Sequence, residues 1–169
     1  DLLPLAGLQG LVELNTAGLK SLADEHLAVL GSLPALKLVY FNAGNLTDAA
    51  FARLATAPSL SIIHFSEQPR ITGAGLASLA KLDSLTFLNI QSCGGLSEEG
   101  FAALAQLKRL QVLFVDSSPF KDAHLPLLDG LKELRDLQVK GCEVTVGGIA
   151  GRPALAGLKV LALSLAAGD

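Results

Sequence analysis

Residues 82–106, LDSLTFLNIQSCGGLSEEGFAALAQ, decide how the chain folds. Leu85, Leu88 and Ile90 follow an L-x-x-L-x-L spacing, and Leu88 and Ile90 alternate as in a strand with one buried face. Cys93 and a Gly94-Gly95 turn come next, and Leu96 returns to the apolar side. Ser97 stands at the N-cap position of a short helix on which Phe101 and Leu104 share one face. Leu107 then restarts the pattern. So small a unit cannot bury its apolar face alone and requires copies stacked on both sides.

The copies are present. Phased on L-x-x-L-x-x-L-x-L, units begin at Leu8, Leu33, Ala57, Leu82, Leu107, Leu131 and Leu155, and successive starts lie 24 or 25 residues apart. This predicts one domain over residues 1–169 built of about seven repeats, with residues 1–7 as the tail of a preceding unit. The chain contains no Met, which is the mark expected of a segment of something longer.

Inward strand triplets are expected at Leu11/Leu14/Thr16, Leu36/Val39/Phe41, Leu60/Ile63/Phe65, Leu85/Leu88/Ile90, Leu110/Leu113/Val115, Leu134/Leu137/Val139 and Leu158/Leu161/Leu163, the first weakened by Thr16. Helices of two to three turns follow, with inward pairs Leu27/Leu30, Phe51/Leu54, Leu76/Leu79, Phe101/Leu104 and Leu125/Leu128 and caps at Thr47, Thr72 and Ser97. Two units depart from the pattern. Lys121 replaces a Thr or Ser cap and Pro126 falls near a helix start, which predicts a shortened helix. Paired glycines and Pro153 in VTVGGIAGRPALAG predict an irregular loop over about residues 146–153, with Arg152 in solvent.

Composition narrows the function. The chain is 50% hydrophobic and 17% charged, which excludes disorder. A net charge of −3 without a basic block gives no footprint for nucleic acid, and no apolar run reaches the length of a membrane span. Neither nucleic acid nor membrane is therefore an expected partner. Cys93 and Cys142 share one phase two units apart, roughly 10 Å at the strand spacing, which is beyond disulfide reach. They read as thiols completing the turn after a strand. His26, His64 and His124 lack companions at metal-ligand spacing, so no metal and no cofactor are expected. His64, Ser66 and Asp116 lie too far apart for a hydrogen-bonded catalytic set, so the chain reads as a non-enzyme.

The residues Leu46-Thr47-Asp48 with Phe51, Ile71-Thr72-Gly73-Ala74-Gly75-Leu76, and Cys93 with Leu96-Ser97-Glu98-Glu99-Gly100-Phe101 carry a family resemblance. The chain resembles leucine-rich-repeat proteins of the ribonuclease-inhibitor-like and cysteine-containing classes. It is similar to the repeats of F-box substrate receptors and of bacterial L-T-D-x-G-L proteins. The resemblance implies an α/β fold: a right-handed solenoid with a parallel sheet on its concave face and short helices on its convex face. The chain departs from the cysteine-containing class because Leu19, Gly44, Gln68 and Ser118 fill the column that Cys93 and Cys142 occupy. A continuous side-chain ladder along that column is not expected.

Alternate strand positions then face the hollow. Leu38, Ile62, Phe87 and Val112 fall side by side in one outward column, with Tyr40 and Phe114 in the next. A solvated sheet face would be polar there. The apolar cluster, with His64, Asn89, Gln91 and Asp116 at its margins, is the candidate surface for a protein partner. Strand propensity alone, or burial under a further domain, would also place apolar residues there. Three classes stay open at this point: a protein-interaction module first, a structural spacer or assembly unit second, a ligand-binding or enzyme-associated domain last. Neither end carries a polar cap, so self-association through an end, or membership of a longer array, is also expected.

Overall fold

The computed structural model describes residues 2–164; Asp1 and residues 165–169, which close the last expected unit, lie outside them. Seven strands form one sheet: β1 (Glu13–Asn15), β2 (Leu38–Asn42), β3 (Ile62–Ser66), β4 (Phe87–Gln91), β5 (Val112–Phe114), β6 (Asp136–Val139) and β7 (Val160–Leu163). Their spatial order is their chain order, and every neighbouring pair is parallel. Each strand is joined to the next by a helix-bearing crossover, the connection that parallel strands require.

The register aligns the repeats row by row. Ile63 pairs with Leu88 and Leu88 with Leu113, so inward side chains stack into a continuous core. From Leu36 to Val139 all the inward strand triplets are buried, as are the five inward helical pairs. At the ends the packing thins: Leu11 and Leu14 are half-buried, and Leu161 in β7 is 41% exposed. Thr16 fits its inward position because its hydroxyl donates to Tyr40 O at 3.0 Å, which satisfies a polar group that would otherwise be costly to bury.

The convex side alternates between two helix types. α1 (Ala49–Leu54), α2 (Glu98–Leu104) and α3 (Val146–Ala150) are α-helical, whereas Asp24–Ser32, Leu76–Lys81 and Asp122–Gly130 are 3₁₀ helices. Two expectations need correction here. The segment after Lys121 is not shortened: it runs nine residues with Pro126 inside it. Pro126 has no N–H to donate, but a buried His124 secures the start, its Nδ1 accepting from Lys121 N at 3.0 Å. His26 does the same for Ala23 N at 3.0 Å, so a histidine three residues on replaces the missing hydroxyl cap in both repeats. The stretch at 146–153 is not an irregular loop. Thr145 Oγ1 accepts from Gly148 N at 3.0 Å and caps α3, while Arg152 folds back to Asp129 with Nη1 3.4 Å from Oδ2.

Adjacent repeats are also locked at the helix starts. Asp24 Oδ1 accepts from Thr47 N at 3.0 Å, and its Oδ2 accepts from Thr47 Oγ1 at 2.5 Å. Asp48 holds Thr72 and Asp122 holds Thr145 in the same way. Thr47 and Thr72 therefore act chiefly as donors to the preceding repeat, while Ser97 caps α2 by accepting from Gly100 N at 3.2 Å. Glu98 reaches forward instead, with Oε2 2.9 Å from His124 Nε2 and Oε1 3.7 Å from Lys121 Nζ. The His124 hydrogen bond and the nearby Lys121 charge hold the Glu98 carboxyl below the usual carboxylate range.

This close stacking explains the glycine at the fourth position of the T-x-x-G and S-x-x-G segments. A Cβ on Gly75 would fall on the Asp48 carbonyl, and one on Gly100 on the Thr72 carbonyl. After each of the strands β2 to β5 the chain turns through a left-handed residue that is not glycine: Ala43 (φ 51°), Glu67 (55°), Ser92 (54°) and Ser117 (53°). The surrounding repeats impose that conformation against its local cost.

Candidate functional site

Strand alternation places the candidate residues on the concave face. Leu38, Ile62, Phe87 and Val112 are register partners across β2 to β5, and Tyr40, His64, Asn89 and Phe114 form the next row. All six apolar candidates are half-buried. None stands fully out of the surface.

The rings form a ladder that crosses between the two rows. Tyr40 stacks on His64 with centroids 4.3 Å apart and planes 21° from parallel. His64 meets Phe87 at 4.6 Å, and Phe87 meets Phe114 edge-on at 5.1 Å. The step from one row to the other occurs at Asn89, which occupies the second row of β4 where an aromatic ring would otherwise continue it. Edge-on and offset contacts of this kind are favourable ring geometries.

Asn89 is buried, at 7% exposure, and serves the frame more than the surface. Its Oδ1 accepts from Gln91 N at 2.9 Å, and its Nδ2 lies 3.3 Å from His64 Nδ1 and 3.4 Å from Gln91 Oε1. An amide nitrogen can only donate, so His64 Nδ1 is the acceptor and the ring proton sits on Nε2. Burial pushes the His64 pKa down, in the direction that favours the uncharged ring. Beside the ladder lies a depression of about 260 Å³ lined by Asn15, Ala17, Tyr40, Phe41, Asn42, His64, Ser66, Asn89 and Gln91. It offers amide and hydroxyl groups next to an aromatic wall.

Asp116 is placed differently from the other nine. β5 ends at Phe114, and Asp116 turns to the following repeat, where Oδ1 accepts from Lys140 N at 2.7 Å and Oδ2 lies 3.5 Å from Lys140 Nζ. Its carboxylate is engaged in joining repeats. Asp136 lies in the same outward row as Phe87 and Val112, and its Oδ1 is enclosed and accepts no hydrogen bond among the described residues. Outward position was the signal for Asp136, but its lack of a partner cannot be read from spacing.

The three residues weighed as a catalytic set are not brought together. His64, Ser66 and Asp116 do not converge, since Asp116 is committed to Lys140 and Ser66 Oγ donates to Asn42 Oδ1 at 3.4 Å. Among the described residues no three His, Cys, Asp or Glu side chains gather as a metal site, and no helix is long and apolar enough to cross a membrane. Cys93 and Cys142 are free thiols. Burial pushes the Cys93 thiol up to about 11, partly countered by a backbone hydrogen bond from Gln68. The column that these cysteines share forms short links, not one ladder. The Gln68 amide spans Gly44, donating to its O at 3.2 Å and accepting from its N at 3.1 Å, and Ser118 Oγ lies 3.6 Å from Cys142 Sγ.

No protein-family model matches the chain, and no curated protein matches it by sequence. Solved structures do. An internalin (inlF) from Listeria monocytogenes is similar at 24% identity and a TM-score of 0.69, over 98% of this chain and 46% of that one. An internalin C2 from the same organism is similar at 25% identity and a TM-score of 0.67, over 97% of this chain and 66% of that one. The chain thus spans less than two thirds of the length of either. With seven parallel strands in one sheet and a short helical segment in each crossover, the chain is a leucine-rich-repeat solenoid.

Proposed function

We propose that the chain is a protein-interaction module, one leucine-rich-repeat domain of about seven units, which binds a partner on the concave face of its sheet. The observation that carries this reading is the aromatic ladder Tyr40–His64–Phe87–Phe114. It lies on outward positions, while the core is filled independently by the inward Leu, Ile, Val and Phe side chains. Leu38, Ile62 and Val112 extend it as an apolar strip, and Gln91 with the depression beside His64 supplies a polar margin. Aromatic groups at the centre of a patch with a polar edge have the composition of a binding hot spot. The module works by binding and not by catalysis, and the phase shared by Cys93 and Cys142 supports the cysteine-containing, ribonuclease-inhibitor-like type of repeat.

The test uses a binder selected on the chain from a displayed protein library and then purified. Phe87→Ala with Phe114→Ala removes two ladder rings, and a truncated hot spot costs about 2 kcal/mol or more, roughly thirtyfold in affinity. The expected result is a loss of at least that size with the unfolding midpoint only modestly lowered. Unchanged affinity with a large drop in midpoint would make the ladder a structural feature and overturn the proposal.

A further inference from the structure

We propose that the concave site selects a partner segment carrying a cationic side chain, which seats on Asp136 while an adjacent apolar residue covers Phe87, Val112 and Phe114. This rests on the concave face being the binding surface. The charge balance of that face motivates it. Glu13 and Asp136 stand in its outward strand rows, and Asp116 and Lys140 lie just beyond the ends of β5 and β6. Lys140 is taken by Asp116, and none of the four ion pairs among the described residues includes Asp136. His64 adds no positive charge, because its Nδ1 accepts from Asn89. The face is therefore left with uncompensated carboxylates, Glu13 exposed at one end and Asp136 half-buried beside the apolar strip.

The position of Asp136 makes it the selective one. Its register neighbours are Val112 and Val160, and Phe114 lies diagonally across on β5. Apolar neighbours lower the local dielectric, so a charge–charge contact there is stronger than one in open solvent. Asp136 is half-buried and belongs to none of the ion pairs among the described residues, so a cationic side chain meeting its accessible oxygen supplies the missing counter-charge. An acidic partner is disfavoured by the same carboxylates.

Three capped peptides, acetyl-Phe-Gly-Arg-amide and its Gln and Glu counterparts, titrated into the ¹⁵N-labelled chain, test this. The expected result is that the Arg peptide shifts the backbone signals of β5 and β6, with an affinity about tenfold above the Gln peptide and the Glu peptide weakest. Asp136→Asn should abolish the Arg-over-Gln preference and leave the Gln peptide unaffected. Phe87→Ala with Phe114→Ala should weaken all three together. Equal binding of the three peptides, or an Arg preference that survives in Asp136→Asn, overturns the charge assignment and leaves the concave surface standing. No shift from any peptide up to its solubility limit, or shifts confined to the convex helices, overturns the surface as well.

Discussion

Leu88→Ala tests the register on which every placement depends. Leu88 is fully buried, and its register partners Ile63 and Leu113 are fully buried on either side. The substitution removes about three carbon groups at roughly 0.8 kcal/mol each, and the cavity left behind adds a further term, for a total of about 2–5 kcal/mol. The value should fall in the upper half of that range. Ile63 and Leu113 belong to strands hydrogen-bonded on both sides and cannot move in to fill the space. In a chain of this size, about 3 kcal/mol corresponds to a fall of about 6–12 °C in Tm. Urea unfolding followed by far-ultraviolet circular dichroism gives the free energy, and Arg109→Ala, exposed in the turn before β5, is the control with an effect within about 0.5 kcal/mol. A loss below about 0.5 kcal/mol for Leu88→Ala would put Leu88 on the surface and invert the register of the sheet.

Other expectations follow from the contacts between repeats. Gly100→Ala should destabilise by about 1–3 kcal/mol in urea melts, because its new methyl group meets the Thr72 carbonyl and the Gly73 backbone, whereas Gly94→Ala meets nothing within 4 Å and should be neutral. Asp122→Ala should cost about 1–3 kcal/mol, since it strands the Thr145 N–H and hydroxyl together; an unchanged midpoint would show that the lock contributes nothing. Alkylation by iodoacetamide near neutral pH should modify Cys142 in the folded chain and spare Cys93 until urea is added, because a thiol pushed up to about 11 is protonated there. The folded state holds that proton more tightly than the unfolded one. Its contribution to stability is thus complete below the ordinary thiol range and is lost as pH rises towards about 11.

The strand and core positions were legible because their signal is local and repeated. Leu88, Ile63 and Leu113 recur at one phase, and alternation alone decides which side chains face inward. The outward row of Leu38, Ile62, Phe87 and Val112 was legible for the same reason. What spacing did not reveal depends on the neighbouring turn of the coil. The Asp24–Thr47 pair joins residues 23 apart, and nothing within either repeat marks Thr47 as a donor and not a cap. His124 replaces a hydroxyl cap only because its ring is buried between Phe101 and Phe120 and anchored by Glu98. Residues Ala43 and Glu67 carry no mark of a left-handed turn in their identity, since the stacked repeats and not the side chain impose it. Within the site, Asn89 reads as an exposed amide by alternation, yet its neighbours His64 and Gln91 enclose it.

The most direct measurement of the central claim is hydroxyl-radical footprinting of the chain, free and saturated with its selected protein binder. Tyr40, Phe87 and Phe114 on the concave face should lose reactivity in the complex, while Val146 on the convex side, 56% exposed, should react as before. Protection of Val146 with Tyr40, Phe87 and Phe114 unchanged would place the partner on the opposite face and contradict the account.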